Sequence, residues 1–178
     1  KEHLSSSERT LRTLKGAIET IKITFPHYGS FLMEFIQNAD DEKSRFIKFE
    51  IKEKILTISN DGNIFTKENV ESICSISEST KDNKNYIGYL GVGFKSIFLI
   101  TDSPEIHSGD FNFRFDKNFW EKKLSFNVPY EILPISIKAP RKNQSPTTFR
   151  IPINTKADVN KISKEFTQDI LNSRTVLF

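Results

Sequence analysis

The sequence predicts an α+β fold with antiparallel strands, and two observations support that prediction. Helical periodicity dominates the start of the chain, whereas short runs of alternating apolar and polar residues dominate the rest. Two of these runs are joined by a link too short to hold a crossover helix, which indicates antiparallel pairing. This order differs from the strand–helix alternation that is typical of a doubly wound parallel sheet.

Two helices are predicted before the first strand. A capping box at Ser5 and Glu8 precedes apolar residues that recur every three to four positions up to Ile21. Ser30 can cap a second helix over residues 31–42, which is apolar on one side and acidic or amide-bearing on the other.

The strand pattern begins with a hairpin. Phe46–Ile51 and Ile55–Ser59 alternate apolar and polar residues, and a KEK link joins them. Further strands are predicted at residues 104–108, 111–115, 131–137 and 148–153. Further helices are predicted at residues 67–76 with Thr66 as the cap, at 96–101 and at 158–171, with a polar loop at 77–85.

Composition excludes several classes of protein. The net charge of +3 is too mild to indicate a nucleic-acid partner by itself, and the single cysteine, Cys74, excludes an intrachain disulfide and a cysteine-rich zinc site. One cysteine favours a reducing, intracellular and cytoplasmic location. The polar start predicts no signal peptide, and the apolar runs are too short for a membrane span. The missing initiator Met and the apolar end suggest a piece of a longer protein.

The first group of residues with chemical potential lies on the second helix. Glu34, Asn38 and Asp41 are spaced by four and three residues, which places them on one helix face. A carboxylate there can orient and deprotonate a water, and an amide oxygen one turn later can bind Mg²⁺. A solvated polar helix face is the alternative interpretation.

The second group is Asn60-Asp61-Gly62, at the end of a predicted strand. A carboxylate there can accept a hydrogen bond from an adenine amino group, while Gly62 lets a ligand approach the backbone. An ordinary turn is the alternative interpretation.

The third group is a glycine-rich segment, Gly88-x-x-Gly91-x-Gly93, that runs into Phe94-Lys95-Ser96 and an apolar helix. Glycines allow several backbone N–H groups to point at one anion, and the following helix adds its positive N-terminal end. The glycine order is the reverse of the dinucleotide fingerprint, and Phe94 interrupts the P-loop pattern. The segment therefore predicts a different kind of phosphate-binding loop.

Together the three groups resemble the motifs of the GHKL superfamily of ATPases, which includes gyrase, heat-shock protein 90, histidine kinases and MutL. The closest resemblance within it is to sacsin and No Vein-like proteins, through QNADD, the Asn-Asp turn, STK and G-x-G-F-K-S. This resemblance covers about residues 31–153. We expect the whole chain, residues 1–178, to form a single domain. The resemblance implies the Bergerat fold, a two-layer α/β sandwich with a mixed, mainly antiparallel sheet and helices on one face.

The resemblance also implies roles for individual residues. Glu34 matches the residue that activates the attacking water, Asn38 matches the Mg²⁺ ligand, and Asp41 matches a further acidic position. Thr147 resembles a threonine that reaches the adenine site. The residues that match the phosphate loop and its flank are Gly88, Gly91, Val92, Gly93, Phe94 and Lys95. The residues that match the flexible ATP lid are Ser79, Thr80 and Lys81.

One departure concerns the adenine contact. With Thr66 aligned to the family's threonine, the expected Asp falls on Asn60 and the expected Gly on Gly62. We take Asp61 as the contact, because it carries the carboxylate, and keep Asn60 as the alternative. With a carboxylate in that place, GTP is expected to bind more weakly than ATP.

These patterns predict a Mg²⁺-dependent ATPase domain that drives lid closure and a chaperone-like cycle in a larger protein. A second hypothesis is an ATP or ADP sensor that does not hydrolyse its ligand, against which Glu34 argues. A third is a histidine kinase, for which no phosphoacceptor helix is visible. A fourth is a nucleic-acid-associated ATPase that uses Lys138, Arg141 and Lys142. Other expected partners are the rest of the polypeptide, a second copy or a protein client.

Overall fold

The computed structural model describes residues 6–24, 30–75, 93–124, 128–139, 146–154, 159–160 and 162–164. Its α-helices are α1 Ser6–Thr24, α2 Ser30–Asp41, α3 Lys67–Cys74 and α4 Lys117–Lys123, with 3₁₀ helices at Phe94–Leu99 and Tyr130–Ile132. Its strands are β1 Ile47–Lys52, β2 Ile55–Asn60, β3 Glu105–Ser108, β4 Phe111–Arg114, β5 Ile135–Ser136 and β6 Thr147–Pro152. No described helix combines the length and apolarity that a membrane crossing requires.

The six described strands form one open sheet in the order β1-β2-β6-β3-β4-β5. Every neighbouring pair is antiparallel, so the part of the sheet that the structure describes contains no parallel pair, where we expected a mixed sheet. The α+β class and the two-layer arrangement of helices on a sheet are confirmed.

The first hairpin is confirmed, with a tighter turn than the sequence suggested. Glu53 and Lys54 form a two-residue turn, and both adopt positive φ, at 51° and 62°. Turns of this shape match the right-handed twist of the flanking strands. In β2 every second residue is buried, from Leu56 through Ile58 to Asn60, so this face of the strand faces the core.

An aromatic cluster joins the helices to the sheet. Phe35 from α2 packs edge-on against Phe149 from β6, with ring centroids 4.7 Å apart. Phe94, the first residue of the 3₁₀ helix, lies 6.2 Å from Phe35 and 6.3 Å from Phe149. These three rings hold α2, the segment after the glycine-rich loop and the sheet centre together.

Helix α3 begins as the sequence predicts. Thr66 accepts a hydrogen bond from the Asn69 amide, and the Asn69 side chain accepts one from the Thr66 amide. The resulting capping box fixes the start of the helix at Thr66, six residues after the end of β2 at Asn60.

Three segments differ from the prediction. Residues 131–137 form a 3₁₀ turn and the two-residue strand β5, because Pro134 has no N–H to donate to a sheet. The helix expected at 96–101 is a 3₁₀ helix that begins at Phe94. Helix α4 was not predicted, although Asp116 caps it by accepting from the Phe119 amide. Of the expected final helix, residues 159–160 and 162–164 are helical, and the rest lies outside the described residues.

The aromatic cluster predicts a large loss of stability on truncation of Phe149. Phe149→Ala removes a ring that is 6% exposed and leaves a cavity between α2 and the sheet. We expect it to lower the free energy of unfolding by about 3–5 kcal/mol in urea titrations.

The matched control is Phe46→Ala, because Phe46 is 44% exposed and lies just before β1. We expect that change to cost less than about 1 kcal/mol. Equal losses for the two variants would show that the Phe149 ring does not connect the layers.

Candidate functional site

A polar row crosses three strands at one end of the sheet. Asn60 pairs with Thr147 across β2 and β6, and Thr147 pairs with Ser108 across β6 and β3. All three residues are at least nine-tenths buried. Two residues further into the sheet, the same face carries the apolar row Ile58, Phe149 and Ile106. The core face therefore changes from apolar to polar at this end.

An open cavity lies against Asn60 and Thr147 of this polar row. Its empty space, with the solvent at its mouth included, is about 450 Å³. The residues that line it are Phe35, Asn38, Glu42, Asn60, Asn63, Phe65, Ile73, Phe94, Thr147 and Phe149. Aromatic walls with a few polar groups are typical of sites that hold a flat, partly polar ligand.

Thr147 is held by a chain of hydrogen bonds. Its Oγ1 lies 2.6 Å from the Ser108 hydroxyl, and that hydroxyl accepts a hydrogen bond of 2.8 Å from the Phe65 amide. Ser108 thus positions both Thr147 and the segment that leads to α3. Ser108 was not among the predicted site residues, because its pairing with Thr147, 39 residues away, is not visible in the local sequence pattern.

Asn60 lines the cavity and is oriented by its own turn. The Gly62 amide donates a hydrogen bond of 3.2 Å to Asn60 Oδ1. A backbone N–H can only donate, so the oxygen of the side-chain amide faces Gly62 and the nitrogen faces away from it. The NH₂ group donates to no atom of the residues that the structure describes.

Asp61, our choice of adenine contact, lies outside the cavity lining. Its Oδ1 accepts from the amides of Arg45 and Phe46 at 2.8 and 3.2 Å, and its Oδ2 pairs with Arg45 Nε at 2.8 Å. Burial acts to raise the pKa of Asp61, but the hydrogen bonds and charge of Arg45, with the Phe46 amide, lower it overall. Asp61 therefore anchors the start of β1.

Gly62 is required by packing at the strand end. A Cβ there would meet the Glu42 carbonyl oxygen at 2.8 Å and overlap the Ser44 hydroxyl. The Asn63 amide in turn donates to the Glu42 carbonyl at 3.0 Å. This glycine therefore allows the strand end to pack against the segment that follows α2. The room that it was expected to leave for a ligand stays a prediction.

Glu34 and Asn38 form a polar pair one turn apart on α2. Glu34 Oε1 and Asn38 Oδ1 are both buried, and neither has a hydrogen-bond partner in the described part of the chain. Burial raises the pKa of Glu34, a hydrogen bond from Asn38 lowers it in part, and the negative charge of Asp41 raises it further, so the pKa is raised overall. Asn38 Oδ1 has no partner among the described residues, and an amide oxygen of this kind can bind a cation.

Asn38 lines the cavity, whereas Glu34 lies outside the lining. The Glu34 carboxylate is beside Gly93, where a Cβ would overlap it. Asp41 is the last residue of α2 and does not line the cavity. Its negative charge raises the pKa of Glu34. Phe94, the next residue in the sequence after Gly93, lines the cavity. No group of three or more His, Cys, Asp or Glu side chains suited to a metal occurs among the described residues.

Lys95 corrects a second expectation, because the structure does not bring it into the cavity. Its ammonium group is buried and donates to the carbonyl oxygens of Ile73 and Glu131, the latter at 2.8 Å. Burial lowers the pKa of Lys95 to about 8, against the raising effect of Cys74 and Glu131. This lysine ties the 3₁₀ helix to the end of α3 and so supports the cavity wall at Ile73.

Several predicted residues cannot be placed. Those that lie outside the described residues are Ser79, Thr80, Lys81, Gly88, Gly91, Val92, Arg141 and Lys142. Lys138 is exposed after β5. The phosphate loop is therefore represented by Gly93 and Phe94 alone, and the lid stays a prediction.

Comparisons with known proteins support the sacsin-like resemblance. Residues 50–122 match the family model of the Sacsin domain, a range that includes Asn60 and Gly93. The chain is 35% identical over 115 residues to Protein NO VEIN of Arabidopsis thaliana, which covers 61% of this chain and 4% of that protein. It is 31% identical over 121 residues to Sacsin of Homo sapiens, which covers 57% of this chain and 3% of that protein. The matched regions are thus small parts of very long proteins.

The geometry of Asp61 predicts a structural effect that depends on pH. Asp61→Asn replaces an oxygen that accepts from Arg45 Nε with an NH₂ group, so we expect a lower urea midpoint at pH 7. The pKa of Asp61 is lower in the folded protein than its ordinary 3.8, so its contribution is full above that pH. The difference from the wild type should shrink as the pH falls below about 4.

Asp110→Asn is the control, because Asp110 is an exposed carboxylate in the turn between β3 and β4. Its urea midpoint should follow the wild type at every pH. An Asp61→Asn protein as stable as the wild type at pH 7 would show that Asp61 does not anchor β1.

Proposed function

We propose that this domain binds Mg-ATP in the cavity over the polar row and hydrolyses it. The observation that supports this most directly is a pair of buried oxygens, Glu34 Oε1 and Asn38 Oδ1, that have no partner among the described residues. The Glu34 carboxylate lies beside Gly93. A buried polar atom without a partner destabilises a protein, so its presence calls for an explanation such as an absent ligand or ion. An Mg²⁺-bound phosphate with an ordered water would supply those partners.

The base would lie at the sheet end of the cavity. Phe35, Phe94 and Phe149 supply the apolar surface, and Asn60 and Thr147 supply the polar groups. A flat heterocycle with hydrogen-bonding groups along one edge suits this combination. Asn60 takes the place that we first gave to Asp61, because only Asn60 lines the cavity.

The phosphates would lie towards α2 and Gly93. Asn38 Oδ1 is a hard oxygen ligand of the kind that Mg²⁺ prefers, and phosphates and waters would complete its coordination. The metal would neutralise charge on the phosphates. Gly93 supports this placement, because any larger residue there would displace Glu34. The remaining loop glycines are proposed to contribute backbone N–H groups, as the sequence predicts.

Glu34 would act as the general base. Its carboxylate accepts a proton from a water whose oxygen bonds to the terminal phosphorus, while the bond from that phosphorus to ADP breaks. The products are ADP and inorganic phosphate. The raised pKa of Glu34 suits this role, because a base is most effective when its pKa approaches the working pH. Activity should accordingly fall on the acidic side at a pH above the ordinary 4.5 of a glutamate.

The relatives are much longer than this chain, so the cycle that hydrolysis serves is a separate proposal. We propose a conformational, chaperone-like cycle in which nucleotide state is passed on to the rest of the polypeptide. Hydrolysis is therefore best measured in the natural full-length protein.

The proposal predicts different effects for two residues one helical turn apart, one on hydrolysis and the other on binding. Glu34→Ala should reduce phosphate release by about 10²- to 10⁴-fold and leave the Kd for Mg-ATP within a few fold of the wild type. Asn38→Ala should weaken ATP binding when Mg²⁺ is present and have less effect in EDTA, because it removes a metal ligand. Phosphate release and titration calorimetry measure the two properties.

Glu121→Ala is the control, because Glu121 is an exposed carboxylate on α4. It should match the wild type in both assays. Equal hydrolysis by the wild type and Glu34→Ala would show that Glu34 is not the general base. Absence of ATP binding by the wild type at millimolar Mg-ATP would contradict the proposed function as a whole.

A further inference from the structure

A positive charge is buried next to the cavity wall. Lys95 is fully buried, and its ammonium group donates to the carbonyl oxygen of Ile73 and, at 2.8 Å, to that of Glu131. The ammonium nitrogen also lies 5.8 Å from the centre of the Phe94 ring. Ile73 and Phe94 both line the cavity, whereas Lys95 does not. The charge therefore lies against two lining residues without itself reaching the cavity.

This buried charge opposes folding at neutral pH. Burial lowers the pKa of Lys95 to about 8, although the negative charges of Cys74 and Glu131 act in the opposite direction. Burial also raises the pKa of the Cys74 thiol, so Cys74 is neutral at pH 7 and the countercharge comes from Glu131. Replacing a buried ionic group by an apolar residue of similar volume is often neutral or stabilising. The charge of Lys95 therefore calls for a role beyond packing.

A charge in this position can act on the contents of the cavity. Attraction between charges is stronger where protein rather than water separates them, and it is screened less by salt. The phosphates are proposed to lie beside Gly93, two residues before Lys95 in the chain. The Glu131 carboxylate opposes the attraction, so the gain is smaller than that of an isolated charge. An anionic group beside Gly93 gains from the ammonium, and an uncharged ligand in the same cavity does not.

We propose that Lys95 is a specificity-determining residue that favours phosphate-bearing nucleotides over the uncharged nucleoside, acting through the cavity wall without contact. This inference rests on the proposed nucleotide site. It gives the lysine of the predicted phosphate loop an electrostatic role at a distance. Two carbonyl oxygens hold the ammonium in place, so the charge is already oriented before a ligand enters.

The test compares Mg-ADP with adenosine, because only the nucleotide brings charge to the phosphate end of the cavity. The quantity measured by titration calorimetry is the ratio of the adenosine Kd to the ADP Kd. Lys95→Met keeps a side chain of similar length and removes the charge. We expect the ratio to fall by about 3- to 30-fold through weaker ADP binding, with the adenosine Kd within about twofold of the wild type. A role in wall packing alone would weaken both ligands alike.

The wild type supplies a second measurement that does not depend on the folding of a variant. Because the pKa of Lys95 is about 8, below the ordinary 10.5, its charge is present at about pH 7 and mostly lost at about pH 9. Both values lie above the phosphate pKa of about 6, so the charge of the ligand changes little. The Kd ratio of the wild type should therefore fall as the pH rises between these values, and that of Lys95→Met should stay constant.

Lys122→Met is the matched control, because it removes the same charge from the exposed side of α4, where water screens it. Its Kd ratio should equal that of the wild type at both pH values. An unchanged ratio in Lys95→Met, or a wild-type ratio that does not vary with pH, would overturn the inference and leave the nucleotide site intact. Failure of the wild type to bind Mg-ADP at millimolar concentration would overturn the site itself.

Discussion

The alternation of side chains along β2 and β6 is the constraint on which the rest of the structure depends. The same face that packs Ile58 and Phe149 against the helices continues, two residues later, to Asn60 and Thr147. A strand cannot change the face that its side chains occupy without a bulge or a shift of register. The packing of Ile58 and Phe149 therefore fixes the positions of Asn60 and Thr147 on the same face, and a change in that packing is expected to move both residues of the cavity lining.

The same alternation separates Asn60 from Asp61. Neighbouring positions at a strand end point in opposite directions, so one residue lines the cavity and the other binds the amides before β1. Asn60 and Asp61 therefore have separate roles that depend on their positions. The charge of Asp61 is held by two backbone N–H groups and Arg45 Nε, and the neutral amide of Asn60 lines the cavity.

The local patterns were sufficient to predict α1, the β1–β2 hairpin and the Thr66 cap of α3, because each depends on residues close together in the chain. Glu34 and Asn38 were placed for the same reason, since helical spacing alone puts them one turn apart. Ser108 could not be found in this way, because its role arises from pairing with Thr147, 39 residues away. Lys95 was misplaced, because its carbonyl partners at Ile73 and Glu131 come from distant segments. Asp61 was preferred for its charge, and only the register shows which residue faces inwards.

A structure of the chain crystallised with ADP and Mg²⁺ tests the central claim most directly, namely that the cavity over the polar row is a nucleotide site. We predict that the base lies between the aromatic walls, within hydrogen-bond distance of Asn60 and Thr147, with Asn38 on the metal. Asp61 should retain its bonds to Arg45 and Phe46. A nucleotide bound elsewhere, or a base that contacts Asp61 in place of Asn60, would contradict this account.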